Sequence, residues 1–372
     1  MDGSNLHTDL AYWFAILRVP GMQVEILRRL LANFESLANI FSVNGDIFSE
    51  FGLQRKIIPY LQHPDWSKVE KDLAWILAPT NHLITYFDKR YPVLLREIHN
   101  PPIALYLSGD PEVLATLQIS IVGSRRPSPD GRRNARDFAA GLAGLGVTVT
   151  SGLATGLDSE AHKGALAVDG KTIAVLGSGL DQIYPKSNVH LARLIIEKKG
   201  SVISELPPDS SPLPMHFPLR NRIISGLSLG TLVVEAAINS GSLITARMAM
   251  EQGREVFAIP GSIHNPLTRG CHSLIRQGAK LTDNINDILE EIGPLAYLVS
   301  KGGQSQHEDD KKIKELDELG KLLLDNIGNR PVPIDSLVEL TALPVPLIAA
   351  QLLKLELAGL IVSMPGGTYA RV

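Results

Sequence analysis

The 372-residue chain holds a single cysteine, Cys271. That excludes an intrachain disulfide and any metal cluster built on several thiolates, and it suits a reducing cytosol. Long apolar runs are missing too: no window reaches the ~18 uninterrupted apolar residues of a membrane span, so no membrane partner is expected. The first ten residues, MDGSNLHTDL, carry no basic stretch followed by an apolar core, so no secretory signal is expected and the expected location is cytoplasmic. Aromatics make up only 5%, and the net charge is only −3. So weak a charge argues by itself against a nucleic-acid partner, but it is unevenly spread. Residues 121–280 hold 18 Lys and Arg against 12 Asp and Glu, a net +6, and the rest of the chain sums to −9. What is present is 44% apolar residues with 32 Gly and 24 Pro, a folded, turn-rich composition long enough for two or three domains.

Three regions differ in texture. Residues 1–80 read as short amphipathic helices and contain all three tryptophans, Trp13, Trp66 and Trp75. Within them, Leu17-Arg-Val-Pro-Gly-Met22 followed by Val24–Leu31 reads as helix, tight Pro-Gly turn, helix, similar to helix-hairpin-helix and sterile-alpha-motif-like domains. Such a hairpin can offer backbone N–H groups to a phosphate. The plainer reading, and the favoured one, is an αα-hairpin that only buries Leu17, Ile26, Leu27, Leu30 and Leu31. Residues 81–293 alternate short apolar strands with helical patterns. The strands are 119–123, 147–151, 172–177, 201–205, 231–235, 256–259 and 280–282, and helices are predicted over 130–145, 158–168 and 242–252. Strands apolar throughout and separated by helices imply an α/β fold, a mostly parallel sheet covered on both faces. Ligands on such sheets bind beyond the carboxyl ends of the strands. Residues 294–312 read as a linker of Gly, polar residues and a charge run. Residues 313–372 read as three helices and a small hairpin turning at Gly366-Gly367, the plan of a winged helix. The third helix offers only Lys354, and residues 315–372 hold 4 basic against 7 acidic side chains, which favours a protein contact over DNA reading.

Nucleotide and catalytic motifs fail on inspection. Gly164–Thr172, GALAVDGKT, is one residue too long for a phosphate loop and runs from helix into strand, the reverse of what the helix dipole needs. Leu176-Gly-Ser-Gly-Leu180 begins like a dinucleotide turn, but Gln182 stands at its third glycine position and Tyr184-Pro185 interrupts any helix. No Cys/His pair, H-E-x-x-H or G-x-S-x-G is present, so no catalytic residue, metal ligand or cofactor is assigned. Asp158 and His162, four apart on a predicted helix, suit a structural pair. Glu235 at a strand end, with Arg247 and the helix opening at Gly241-Ser242, is the one foothold for the alternative of a nucleotide-processing enzyme of phosphoribohydrolase type; Ser242 fits an ordinary N-cap as well.

A different constellation is stronger. Gly123-Ser-Arg-Arg-Pro127 follows the first strand of the sheet, Ile183-Tyr-Pro-Lys186 follows the third, and His216–Arg222 precedes the helix leading to the fifth. If all three open at one sheet edge, Arg125, Lys186, Arg220 and Arg222 share a pocket, with Phe217 and Tyr184 as flat apolar faces. Cations for phosphates beside an aromatic for a base suit single-stranded nucleic acid, whose bases are free to stack. Three or four phosphate contacts would give a salt slope of about −2 to −3.

These residues bring a known family into view. Ile121-Val-Gly-Ser-Arg125, Ser151–Asp158, Ala174–Leu180, His216–Ile224, Glu235 with Ser240–Thr245, and Val256–Gly261 occur in the order seen in the DprA/Smf DNA-processing family, which the chain resembles over about residues 86–290. The resemblance implies an extended Rossmann-like domain that binds single-stranded DNA without catalysis. It implies a homodimer, delivery of DNA to RecA during natural transformation with protection of the incoming strand, and single-strand-binding protein as a further partner. By the resemblance, the family's phosphate-gripping arginine corresponds to Arg125, its basic Tyr-Pro-Lys position to Lys186 and its stacking aromatic to Phe217; the expected single-strand site as a whole comprises Gly123, Ser124, Arg125, Lys186, Phe217, Arg220, Asn221, Arg222, Gly241 and Ser242. Some relatives carry lysine at the position of Pro214, and its loss here should weaken binding or shift the load to Arg220 and Arg222.

Overall fold

The computed structural model describes residues 3–292, except 35, 44–46, 49–50 and 54, together with 318–327, 332–341, 343–357, 361–364 and 368–371. The linker expected over 294–312 and the Gly366-Gly367 turn lie outside the described residues. The chain divides into two compact units, Met1–Ala296 and Tyr297–Val372.

The first unit opens with helices α1 (Gly3–Leu17), α2 (Val24–Phe34), α3 (Leu37–Ser42), α4 (Ile58–Gln62) and α5 (Trp66–Ile76). Gly21 takes φ +69° between α1 and α2, the left-handed geometry the Pro-Gly turn calls for. Leu27 and Leu30 are buried there, and Leu17, Ile26 and Leu31 half-buried.

The sheet strands follow: β1 (Asn81–Thr85), β2 (Ala104–Gly109), β3 (Gln118–Val122), β4 (Thr148–Ser151), β5 (Thr172–Val175), β6 (Ser201–Ser204), β7 (Gly230–Val233), β8 (Glu255–Ala258) and β9 (Lys280–Leu281). The helices among them are α6 (Val93–Arg96), α7 (Pro129–Gly144), α8 (Leu157–Ala167), α9 (Val189–Glu197), α10 (His216–Gly226), α11 (Ser242–Glu251) and α12 (Arg269–Arg276). The nine strands lie in the order β1-β2-β6-β5-β4-β3-β7-β8-β9. From β6 to β9 every pairing is parallel; β2 joins β6, and β1 joins β2, antiparallel. β3 to β7 are buried along their whole length, which is why they read as continuous apolar runs. Hydroxyls inside the sheet pair with one another, Ser120 to Thr231 at 2.7 Å, so burying them leaves no orphan.

From β3 the chain steps outward through β4 and β5 to β6, then returns to β7 on the other side of β3. Right-handed crossovers in opposite directions put α7–α9 and α11–α12 on opposite faces. The loops after β3 and β7 therefore diverge and leave a crevice between them, the topological switch point.

In the second unit, α13 (Glu318–Asn326), α14 (Ile334–Thr341) and α15 (Val345–Leu357) accompany strands β10 (Val332–Pro333), β11 (Ile361–Met364) and β12 (Thr368–Arg371), paired antiparallel in the order β10-β12-β11. Leu323, Leu337, Ile348, Leu352 and Ile361 form its own core, and the arrangement is a winged helix.

Candidate nucleic-acid interface

A cavity of about 780 Å³ opens at the switch point. Its first wall is the β3–α7 loop, held by its neighbours. Ser124 N–H donates to the Glu235 carbonyl at 2.8 Å, Leu157 N–H donates to the Ser124 carbonyl at 3.1 Å, and Arg126 N–H donates to Ser124 Oγ at 3.1 Å. A Cβ on Gly123 would lie 2.3 Å from Leu157 Cδ1 and 2.9 Å from the Glu235 oxygen, so glycine alone fits. Ser128 caps α7 by accepting from Gly131 N–H at 3.0 Å. This anchoring leaves the Arg125 and Arg126 side chains at the cavity mouth, both exposed and neither ion-paired with an acidic side chain among the described residues.

The second wall is α10, and here the structure corrects the sequence reading. His216–Arg222 lies inside this helix instead of in a loop before it. Prolines 212, 214 and 218 suggest a loop, yet Pro218 falls in the first turn, where its missing N–H costs no helical bond. The helical period then sorts the side chains. Phe217, Arg220, Asn221 and Ile224, spaced i, i+3, i+4, i+7, line the cavity. Met215, Leu219 and Arg222 line a separate cavity of about 720 Å³ on the other side of α10. Arg222 donates there to the Glu205 carboxylate. Arg222 is thus not in the shared pocket, and neither is Lys186, which lies exposed in a short 3₁₀ turn after Pro185.

Arg220 is in the pocket but in another role. It is only 5% exposed, and its Nη1 donates to the carbonyls of Gly152, at 2.7 Å, and Val175. Burial pushes its guanidinium down to about 10, with the neighbouring Asp158 opposing that shift. A Cβ on Gly152 would lie 2.3 Å from that guanidinium, so this glycine makes room for it. Asp158, also buried, lines the floor and accepts from Ala154 N–H at 3.3 Å; burial raises its carboxyl above the usual range, and Arg220 pulls against that. Arg220 is therefore a beam tying α10 to the ends of β4 and β5, and cannot take over a load left by a missing lysine at 214. The free cations of the pocket mouth are Arg125 and Arg126.

The aromatic part of the expectation matches the geometry. The Arg125 guanidinium lies over the Phe217 ring, 5.9 Å from its centre, and Tyr184 tilts against the same ring at 5.6 Å. Gly177 leaves 2.9 Å between its missing Cβ and Phe217 Cδ1 and so fixes how deep the ring sits. The third wall is the β7–α11 loop. Gly241 is the N-cap of α11 and makes no side-chain cap bond; Ser242 is the first helical residue, not the cap, and its hydroxyl lies 2.7 Å from Ser240 Oγ. The cavity thus brings together Gly123, Ser124, Arg125, Phe217, Arg220, Asn221, Gly241 and Ser242. Sequence reasoning missed Asp158, Ile224 and Asn239 as lining residues; Ile224 was discoverable from its seven-residue spacing to Phe217.

Glu235 does not line the cavity. Its carboxylate accepts from Ser128 N–H at 2.9 Å and from Ser128 Oγ at 2.5 Å, and packs against Gly131. It secures the start of α7. Asp158 and His162 share α8 without a bond between them; His162 instead meets Thr172 at 2.7 Å. Among the described residues no cluster of His, Cys, Asp and Glu is arranged for a metal ion, and no helix is long and apolar enough to cross a membrane.

An extended Rossmann-like sheet with a pocket at its switch point, followed by a winged helix, defines the class of this chain. Residues 82–293 match the family of DNA recombination-mediator protein A, and residues 307–367 match the DprA winged helix domain. The chain belongs to that DprA/Smf family of DNA-processing proteins. It is 42% identical to protein Smf of Escherichia coli K12 over 366 residues, 98% of this chain and 96% of the relative. The solved structure of DNA processing protein A from Streptococcus pneumoniae superposes with a TM-score of 0.65 at 36% identity, covering 76% of this chain and 97% of that one. The Helicobacter pylori counterpart, solved for its single-stranded DNA binding mode, gives a TM-score of 0.50 at 32% identity, covering 54% and 92%.

Proposed function

We propose that the switch-point cavity holds single-stranded DNA, a base against Phe217 and Tyr184 and the adjoining phosphates on Arg125 and Arg126, and that the chain performs no catalysis on it. As a homodimer, the chain then protects incoming strands in the cytoplasm and passes them to RecA during DNA uptake and natural transformation, in exchange with single-strand-binding protein. The observation that carries it is the juxtaposition of exposed Arg125 and Arg126 with two aromatic rings at the mouth of a cavity whose remaining charged groups, Asp158 and Arg220, are buried. A paired duplex has no base to offer such rings, whereas a single strand does. Support also comes from the family's description as a recombination mediator and from the single-stranded DNA binding of the Helicobacter pylori relative. The hold that Ser128 keeps on Glu235 speaks against the enzyme alternative.

Fluorescence anisotropy with a labelled thymidine oligomer, single and then annealed, tests this at two salt concentrations. Single-strand binding with a steep salt dependence is expected, and Arg125→Ala should weaken it and make the slope shallower by about 0.7, one phosphate contact. Equal affinity for duplex, or a variant that binds like wild type, would refute the pocket assignment. In the same samples, faster RecA assembly on strands covered by single-strand-binding protein is the expected sign of loading.

A further inference from the structure

Three cations gather on one buried carboxylate beside the Arg125 loop. Glu160, in the first turn of α8, has a side chain only 4% exposed. Arg136 pairs with it directly, Lys163 lies 3.1 Å away and Arg132 3.8 Å away, and these three side chains are about half exposed. One negative charge among three positive ones leaves a surplus of two on the outer face of α7 and α8. The other charges of α7 do not cancel it: Arg133 and Asp130 pair with each other at 2.6 Å, and Asp137, the residue after Arg136, lies about 100° away from it around the helix.

The cluster adjoins the pocket mouth. The start of α8 is fastened to the arginine loop by the bond from Leu157 N–H to the Ser124 carbonyl, and Gly156 packs against the Arg125 carbonyl. Arg132 and Arg136 follow Arg125 and Arg126 down α7 and are four residues apart, about 6 Å along the helix axis, a step comparable to one nucleotide of extended strand. Elsewhere the rim is uncharged at Tyr184, Pro214, Pro218, Asn239 and Ile244, with a lone exposed Arg247 further along α11.

We propose that a single strand held in the pocket leaves it over Arg125 and Arg126 and lays its next phosphates on the Arg132–Arg136–Lys163 cluster, where Glu160 cancels only one of the three positive charges. The proposal rests on the single-strand reading of the pocket. It commits to the phosphates of the same strand as occupant, because the surplus charge is positive and continuous with the cations of the mouth.

Anisotropy on the full chain with two labelled thymidine oligomers separates the two ideas. One of about six nucleotides fills the pocket, and one of about twenty also reaches α7 and α8. Replacing Arg132 and Arg136 together (Arg132→Gln, Arg136→Gln) should leave the short oligomer unaffected. The long one should weaken about 25-fold at 0.1 M salt, with a slope shallower by about 1.4, at ~0.7 per contact. Glu160→Gln frees the three cations and should tighten the long oligomer and steepen its slope, a gain that damage to the fold does not produce. Binding of the short oligomer is the internal control for folding in both variants. Long-oligomer binding unchanged in both variants, or weakened by Glu160→Gln while the short oligomer binds normally, overturns the proposal and leaves the cluster to an acidic protein partner. If wild type binds neither oligomer, the pocket reading itself has failed and this proposal falls with it.

Discussion

His162 points into the protein from α8, with Nδ1 2.7 Å from the Thr172 hydroxyl. That hydroxyl already donates to the Val149 carbonyl at 2.6 Å, so it accepts from the imidazole, which is held as the neutral Nδ1–H form. Nε2 is left buried without a partner. Burial, with Arg220 adding to it, pushes the imidazole down to about 3 from its ordinary 6.5. Between those values the unfolded chain binds a proton that the folded chain refuses, so stability is complete above pH 6.5 and is lost as pH falls toward 3. At pH 5 the loss from this one group is about 2 kcal/mol. His162→Gln keeps a donor for Thr172 and removes the titration. Its stability should therefore fall less than wild type's between pH 7 and pH 5, by about that amount in denaturant melts. Parallel falls in both proteins would show that the imidazole is not excluded from solvent. The consequence reaches the pocket, because α8 is the element that fastens the Arg125 loop.

That fastening has a single-atom test at the scale of the element. Gly156 has φ +86°, and a Cβ there would lie 2.4 Å from the Ser124 oxygen and 2.7 Å from the Arg125 carbonyl. Gly156→Ala therefore combines left-handed strain of roughly 1–2 kcal/mol with a clash that must lift the loop. Single-strand affinity should fall toward that of Arg125→Ala although Arg125 is still present, which anisotropy would show; unchanged affinity would mean that the loop is set by β7 alone. This dependence was only half legible in the sequence. The strands from Ile119 to Ile259 could be read to within a residue or two, because parallel strands buried on both faces are apolar throughout, and the switch-point rule then located the cavity. The Gly164–Thr172 segment likewise runs from α8 into β5, as its rejected phosphate-loop pattern required. α10 was not legible. Its prolines imitate a loop, and only the helical period reveals that Phe217 and Arg220 share a face which Arg222 does not. Nor could the sequence reveal that Arg220 is spent on the Gly152 and Val175 carbonyls, since those acceptors come from two other strands. β1 and β2 escaped the strand reading as well, being antiparallel additions at the edge of the sheet.

Across the whole molecule, charge and core are divided differently from the texture of the sequence. Helices α1–α5 share their core with the sheet: Phe14 stacks on Tyr106 at 6.0 Å, Trp75 meets the same ring edge-on at 5.7 Å, and Leu27, Leu30 and Leu61 belong to one cluster with Leu105 and Ile203. Arg18 adds a polar clasp, bonding Asp72 at 2.7 Å and Asp209 at 2.9 Å. Removing residues 1–80 would uncover Tyr106 and its neighbours, at roughly 2 kcal/mol or more for each large apolar side chain returned to water. The winged helix, by contrast, buries its own Leu323, Leu337, Ile348 and Leu352. Two truncations should therefore behave in opposite ways. The chain cut to residues 1–296 should keep its melting temperature, its affinity for a thymidine oligomer and the salt slope of that affinity, since every cation argued to hold phosphate lies within it. The chain reduced to residues 81–372 should melt much lower or aggregate, although it retains every residue of the pocket. Should 1–296 bind the oligomer with a shallower slope, phosphate contacts would have to be assigned to a segment whose residues 315–372 carry 4 basic against 7 acidic side chains. Charge makes that assignment the harder one to sustain, and the slope, which responds to the number of phosphates neutralised, is the quantity that decides it.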